Sequence, residues 1–299
     1  MPESRNASAG RLRVLVVTAG HSFEPEPFFA MFDADSGIRW EGAEQPGAMD
    51  CFGADKAGTW DAIVMYDMPG ITFVDGQSVF IDPPEDFRRR FLAMLDAGQG
   101  FVFLHHAMSA WPSWPAYADI IGGRFHYTPA ELHGKLWPDS GYHLDVTHHV
   151  RLAEPDHPIC RGVQDGFELT DQRYLAPILD EGLTPIMRTD APMTDDHFYS
   201  AAAAIKQRYS DRTGWHHPPT SPLLGWVKTA GRSPVAYLQP GHGPTAYANP
   251  NYRKLVANAI RWAASPAAHQ WAQMSHAEHQ AAARRAAEQD RGRSTHHRM

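Results

Sequence analysis

A chain of 299 residues with 43% hydrophobic and 20% charged residues has the composition of a globular protein, which excludes a mainly disordered chain. It contains no run of about 18 apolar residues, so we expect no membrane span, and its net charge of −7 argues against a general nucleic-acid binder. Its two cysteines, Cys51 and Cys160, cannot form a disulfide framework, which favours a reducing, cytoplasmic setting.

The N-terminal part of the chain alternates apolar strands with helices. Three short, apolar segments have the pattern of strands buried in a parallel sheet: Arg13–Thr18, Asp61–Asp67 and Phe101–Leu104. Three further segments have helical spacing or helix-end signals: Pro27–Phe32, Pro84–Ala97 and Trp114–Ile121. This order predicts an α/β fold in which helices cover both faces of a mostly parallel central sheet.

The middle of the chain, residues 124–223, is less regular. It holds three short strand-like runs: Leu144–Thr147, Phe167–Thr170 and Thr184–Arg188. We interpret them as edge strands and loops that decorate the same domain.

The C-terminal part returns to regular patterns. Leu224–Lys228 and Val235–Gln239 are predicted to pair as a hairpin. Asn249 and Pro250 are predicted to start a helix that Pro266 ends. We therefore predict one domain over residues 11–264, followed by a C-terminal extension over 265–299 that is partly helical or disordered.

Ionisable residues follow the predicted strands. His21 comes after the first, Asp67 ends the second, His105 and His106 follow the third, and His242 follows the late hairpin strand. Since ligands of open parallel α/β sheets bind outside the carboxyl ends of the strands, these residues are the candidate site. Histidine transfers protons near neutral pH and also ligates metals. Each residue also has a structural alternative, as a helix cap, a turn residue or a satisfied core side chain.

Aromatic residues crowd the same segments. Trp111 and Trp114 follow the histidine pair, and Tyr247 follows His242. Flat rings with a polar edge suit the faces of sugars, so we predict that they line a ligand site. The alternative, favoured at least as strongly for Trp114, is that they pack a helix onto the sheet.

Two long blocks are distinctive: HHA…W…IIGG within Gly100–Arg124, and PGHG…Y…NP…NAIRW within Val235–Trp262. With Val14–Phe29, Asp61–Gly70, Glu154–Gly162 and Phe167–Tyr174, they make the sequence resemble the ThuA-like (trehalose-utilisation) family of the class I glutamine amidotransferase-like superfamily. The resemblance implies a flavodoxin-like three-layer sandwich with its site at the same strand ends. It also implies a link to the use of trehalose and other disaccharides, often beside oxidoreductases that make keto-sugars.

The sequence departs from glutamine amidotransferases, which carry a Cys nucleophile in the turn after a central strand and a His paired with an acid after a late strand. Here that turn reads Leu104-His105-His106-Ala107, and Gly243-Pro244 follows His242. Without a nucleophile or a triad, we expect no release of ammonia from glutamine. Members of the resembled family also commonly carry an acidic pair where this chain has Asp171-Gln172.

The leading hypothesis is an enzyme that acts on a sugar, disaccharide or keto-sugar by hydrolysis or isomerisation. His106 and His242 would transfer protons, and Asp67 or Asp171 would orient one of them. The predicted substrate-binding residues are His21, His105, Trp111, Trp114 and Tyr247.

Two alternatives stay open. In the first, a divalent zinc, manganese or iron ion is held by His21, His105 or His106, and His242, with one position left for water. In the second, the chain is a non-catalytic sugar-binding or regulatory protein on a degenerate amidotransferase fold. In each case the expected partner is a small-molecule carbohydrate, and association into a homo-oligomer is left open.

Overall fold

The computed structural model describes residues 10–275 and 278. The strands in this part of the chain are β1 Leu12–Thr18, β2 Ile38–Glu44, β3 Ala62–Met65, β4 Ile71–Val74, β5 Gln77–Phe80, β6 Phe101–Leu104, β7 Ala130–Leu132, β8 Lys135–Trp137, β9 Gly141–Leu152, β10 Phe167–Leu175, β11 Thr184–Thr189, β12 Tyr199–Ser200, β13 Leu223–Ala230 and β14 Ser233–Leu238. The helices are α1 Pro25–Asp33, α2 Glu85–Asp96, α3 Pro115–Ile121, α4 Ala201–Ile205, α5 Pro244–Ala248 and α6 Pro250–Ala263.

One large sheet passes through the molecule in the order β10-β9-β11-β13-β14-β6-β3-β1-β2, with β12 paired to β9. From β2 to β14 neighbouring strands are parallel, whereas from β14 to β10 they are antiparallel. The predicted α/β fold with parallel central strands is therefore confirmed. The strand-like runs of the middle segment are longer than predicted, and they continue this sheet rather than standing apart from it.

Alternation along the parallel strands separates two apolar cores. In β1, Val14 and Val16 pack on one face of the sheet, while Leu15 and Val17 pack on the other. Helices α1, α5 and α6 cover the first face, and α2 and α3 cover the second. The predicted three-layer sandwich is confirmed. None of the helices in the described residues is long and apolar enough to cross a membrane.

Helix α6 starts as predicted, but the residues that follow it differ from the prediction. The Asn249 side chain accepts hydrogen bonds from the backbone N–H groups of Asn251 and Tyr252, and Pro250 is the first helical residue. The helix ends at Ala263, and Pro266 begins a further helical segment, 266–275, rather than ending α6. This segment packs Trp271 against Trp262. The rest of the predicted C-terminal extension, 276–277 and 279–299, lies outside the described residues.

Candidate functional site

Four histidines meet at the carboxyl ends of β1, β6 and β14. The ring centroids lie 3.9 Å apart for His21 and His106, 4.6 Å for His105 and His106, and 5.3 Å for His105 and His242. The strand order explains the meeting, because β6 lies between β14 and β3, and β1 follows β3. We call His21, His105, His106 and His242 the histidine cluster.

His105 lies in the sharp turn between β6 and a 3₁₀ helix, with φ of +37°. Its Nδ1–H donates to the carbonyl oxygen of Gln239, 2.5 Å away, so that Nε2 is an acceptor in the neutral ring. The Tyr174 hydroxyl donates to this Nε2 over 2.7 Å, and the side-chain oxygen Oε1 of Gln172 lies 2.9 Å from it. Both ring nitrogens of His105, predicted to bind substrate, are used within the protein, and the residue is fully buried behind the cleft.

His21 lines the cleft described below, as predicted, whereas His106 lies behind it. His106, predicted to transfer protons to the substrate, is only 2% exposed, and its ring stacks behind that of His21. Its Nε2 has no hydrogen-bond partner among the described residues. The Nδ1–H of His21 donates to the Ser22 carbonyl over 2.7 Å, which leaves Nε2 of His21 as a free acceptor. His21 therefore faces the cleft described below, and His106 supports it from within.

Asp171 holds the loop that carries His242. Its two carboxylate oxygens accept backbone N–H groups from Gly241 at 2.6 Å and from His242 at 3.1 Å. Asp171 thus orients His242 through the backbone and not through the imidazole ring. Gly241 has φ of +121°, and a Cβ there would collide with the Tyr252 hydroxyl, so this turn requires glycine.

Three buried tyrosines hold the same loop from its carbonyl side. Tyr66 donates to the Gly241 carbonyl at 2.7 Å and Tyr252 to the Pro240 carbonyl at 2.8 Å, while the Tyr247 hydroxyl lies 2.6 Å from that of Tyr66 and 3.2 Å from the His242 carbonyl. Tyr247, predicted to bind substrate, is fully buried and lines neither lobe of the cleft described below. The sequence does not reveal the roles of Tyr66 and Tyr252, because nothing in their spacing relates them to a loop near residue 241.

Three other predicted site residues lie away from the histidines. Asp67 is fully buried, accepts a hydrogen bond from Gln45 at 2.8 Å, and is hydrogen-bonded to none of the four histidines in the described residues. Trp111 and Trp114 are buried in the core beneath α2 and α3, where they pack against Phe87 and Phe91. Asp67 therefore orients neither His106 nor His242, and the two tryptophans pack the helices instead of facing a ligand.

Burial keeps the histidine cluster uncharged. It lowers the pKa of His21 and His242, and it lowers the pKa of His105 and His106 further. Repulsion between the imidazole rings adds to this lowering for His242, His105 and His106. Only for His242 do nearby acids, Asp145 and Glu24, partly oppose this lowering of the pKa. Among the four rings, nearby acids therefore favour the charged form only at His242.

The cleft in front of the histidines has two lobes, and both are lined by His21 and His242. The polar lobe, with a volume of about 450 Å³, is further lined by Glu24, Asp145, Thr170, Asp171 and Thr245. The aromatic lobe, of about 260 Å³, is further lined by Phe73, Phe125, Tyr127, Tyr142, Tyr174 and Tyr209. Neither lobe is lined by His105 or His106.

A bulge in β9 directs adjacent residues into different lobes. The register of β9 against β10 shifts between Asp171 and Arg173, and Asp145 has φ of +53° at this point. Leu144 therefore lines the aromatic lobe and Asp145 the polar lobe. The sequence could have indicated Glu24, which follows His21 by three residues, but Asp145 depends on a bulge that its sequence does not reveal.

The candidate metal ligands are the four residues of the histidine cluster, which lie close together but are not arranged to coordinate one ion. Across residues 10–275 and 278, no three His, Cys, Asp or Glu side chains are arranged to hold one ion. His105 uses both ring nitrogens in hydrogen bonds, and the rings of His21 and His106 stack at 29° instead of pointing at a common centre. These residues do not fit a metal ion as they stand, so we derive no step through one.

Comparison with known proteins gives a family and a fold. A sequence model described as "ThuA: Trehalose utilisation" matches residues 13–263. Among curated proteins, none matches this chain in sequence.

Several solved structures share the fold. A protein described as ThuA-like from Parabacteroides merdae is 17% identical, with a TM-score of 0.58, over 85% of this chain and 90% of its own. One from Bacteroides uniformis is 15% identical, with a TM-score of 0.54, over 88% and 95%. A cytoplasmic protein of Salmonella typhimurium is 12% identical, with a TM-score of 0.52, over 84% and 99%. Identities this low show a common fold and nothing further.

Proposed function

Because the chain belongs to the ThuA family, which is described as serving trehalose utilisation, we propose that it is an enzyme that moves protons on a sugar or keto-sugar by histidine acid–base catalysis. The reaction is an isomerisation or a hydrolysis that begins at a carbon next to a carbonyl group. A cytoplasmic location is part of this proposal, supported by two structural relatives described as cytoplasmic proteins.

The observation that carries the proposal is the uncharged histidine cluster at the strand ends. His21 and His242 line both lobes of the cleft, and burial lowers the pKa of each. At neutral pH each ring is a neutral base with a lone pair available for a proton. A protein that only bound sugar hydroxyls would use amide and hydroxyl groups more than four adjacent imidazoles.

His242 is the residue on which an abstracted proton rests. The C–H bond next to a ketone is acidified by the carbonyl group, and a neutral imidazole within reach takes its proton. Glu24 and Asp145 then stabilise the resulting imidazolium. His21 has Nε2 free as an acceptor, and its ring centroid lies 5.9 Å from that of His242. It takes the proton of the hydroxyl group on the deprotonated carbon and passes it to the ketone oxygen, and His242 returns its proton to the former ketone carbon.

The test is exchange of carbon-bound hydrogen with solvent. The protein is incubated in D₂O with trehalose and with a trehalose derivative oxidised to a ketone in one ring, followed by proton NMR. We expect the signals next to the ketone to disappear, and the rate to fall about 10²-fold or more in His242→Asn and in His21→Asn. His149→Asn, an exposed histidine on β9, is the matched control and keeps the rate.

A second candidate, a non-catalytic sugar-binding protein, is favoured by the burial of His106 and by the absence of a nucleophile in the turn after β6. It predicts that calorimetry detects sugar binding while no sugar exchanges hydrogen or changes covalently. Solvent exchange that is equal in wild type and His242→Asn contradicts the acid–base proposal.

A further inference from the structure

The aromatic lobe has a continuous wall of rings that ends at the histidines. Phe73 contacts Tyr127 at a centroid distance of 5.2 Å, Tyr127 contacts Phe125 at 5.1 Å, and Phe125 contacts Tyr174 at 4.6 Å. Tyr174 in turn lies against His105. A ligand in this lobe therefore meets ring faces and edges along its whole length.

Three of the four tyrosine hydroxyls of this wall already make hydrogen bonds. The hydroxyl of Tyr174 donates to His105, that of Tyr127 to the Met68 sulfur, and that of Tyr142 accepts the Ser210 backbone N–H. The side-chain amide of Gln172 contacts His105. A second sugar ring placed here would replace only a few of the hydrogen bonds that its hydroxyl groups make to water, which disfavours it.

Apolar side chains stay exposed around the mouth of the lobe. Phe73 on β4, Leu144 on β9 and Tyr209 after α4 are 42%, 44% and 71% exposed, and all three line this cavity. They come from three separate segments of the chain, so one local irregularity does not explain their exposure. Apolar groups that converge on a cavity in this way are typical of a ligand site.

We propose that the aromatic lobe binds the aglycone of an aryl glycoside, a flat apolar ring joined to a sugar that occupies the polar lobe. The proposal rests on the proposed function, which places the sugar beside His21 and His242. The glycosidic bond then lies at the two histidines that both lobes share. A cavity of about 150 Å³ is enough to hold benzene, and this lobe is larger, at about 260 Å³.

The test compares affinities by isothermal titration calorimetry with the full chain at neutral pH. The probes are phenyl glucoside and methyl glucoside, each as both anomers, with trehalose as the two-sugar ligand. We expect one anomer of phenyl glucoside to bind about tenfold more tightly than its methyl counterpart, because the ring gains aromatic contacts. Trehalose is expected to gain nothing over methyl glucoside.

Two variants locate the effect. Phe73→Ser and Tyr209→Ser change exposed side chains, so the fold does not depend on them, and each should reduce the preference for phenyl over methyl several-fold. Leu136→Ser is the matched control, since Leu136 is 72% exposed on β8 and outside both lobes. It should leave the preference unchanged.

The outcomes separate the two proposals. Equal affinity for phenyl and methyl glucosides, or equal affinity for phenyl glucoside and trehalose, overturns the aglycone proposal alone. A preference for phenyl that survives Phe73→Ser and Tyr209→Ser also overturns it, because the ring then binds elsewhere. Failure of every glucoside and of trehalose to bind overturns the sugar site, and the proposed function with it.

Discussion

Among the four rings of the histidine cluster, only the imidazole of His242 is stabilised in its charged form by nearby acids. Burial lowers the pKa of all four rings, but Asp145 and Glu24 face only His242 closely enough to oppose this effect. In the neutral cluster, the Nδ1–H of His21 is fixed by Ser22 and that of His105 by Gln239. The acids of the polar lobe thus select the residue that carries the charge during a reaction.

Replacing Asp145 by Asn should move the acidic limb of the pH–rate profile to lower pH. The limb reports the free enzyme's base, and removing a negative charge lowers the pKa of His242 further below its ordinary value. The measurement is kcat/KM against pH for the hydrogen-exchange reaction. Asp165→Asn, an acid on the surface beside Arg151, is the control and should leave the limb in place. An unchanged limb in Asp145→Asn would mean that another residue is the base.

Gln172→Glu should give His105 a charge that it does not carry in the native chain. The side chain of Gln172 lies 2.9 Å from Nε2 of His105, and a carboxylate there favours the imidazolium. Histidine NMR should show His105 without titration near neutral pH in the native chain and with titration in the variant. Charge on His105 also repels a proton from His242, so hydrogen exchange should slow. Gln77→Glu on the exposed β5 changes the net charge equally and serves as the control.

At the scale of elements, the loop between β14 and α5 is held from both sides. Asp171 accepts its N–H groups, Tyr66 and Tyr252 donate to its carbonyls, and Tyr247 lies against the Tyr66 hydroxyl. These hydrogen bonds fix the position of His242 without contact to its ring.

Tyr66→Phe should therefore destabilise the fold and impair the site together. The change leaves the buried carbonyl of Gly241 without this donor, at a cost of about 1–3 kcal/mol in the free energy of unfolding. Urea denaturation measures the loss, and a fall in kcat measures the displaced His242. Tyr209→Phe removes a hydroxyl from an exposed residue, and its stability should match wild type. Equal stability of both variants would show that the loop does not depend on Tyr66.

The strand that the sequence predicted most accurately is one whose burial is complete. β6 is buried at every position and has its predicted bounds, Phe101–Leu104. β2 was not predicted, because it is the edge strand, and of its residues Ile38–Glu44 only Ile38 is buried. The strand-end rule located the four histidines. The burial of His106 behind His21 could not be predicted, because it depends on how the two rings stack in the folded chain.

At the scale of the whole molecule, buried acids and buried histidines oppose each other in the pH dependence of stability. Burial raises the pKa of Asp67 and of Asp171 to about 7, so these groups stabilise the folded state at low pH. The buried histidines have lowered pKa values and destabilise the folded state as the pH falls below about 6.5.

Asp67→Asn separates the two contributions. Between pH 3.8 and about 7 the folded chain keeps a proton on Asp67 that the unfolded chain has lost, so its contribution to stability is full below pH 3.8 and gone above about 7. The unfolding free energy of the variant minus that of wild type should therefore rise by about 2–3 kcal/mol as the pH is raised from 5 to 8. Urea denaturation at both values measures this change. Asp75→Asn, on the exposed turn between β4 and β5, should show the same difference from wild type at both. A constant difference for Asp67→Asn would show that its carboxyl group is ionised throughout.

The proposed chemistry depends on the histidine cluster being uncharged when the cleft is empty, and nitrogen-15 NMR of the imidazole rings between pH 5 and pH 8 measures this directly. His→Asn variants at each of the four positions assign the signals. The account predicts neutral rings at pH 7, with His21 protonated at Nδ1, no titration of His105 or His106, and a pKa of His242 below its ordinary value. An imidazolium at any of the four positions at pH 7 would contradict it, because the site would then attract anions instead of accepting a proton from a sugar.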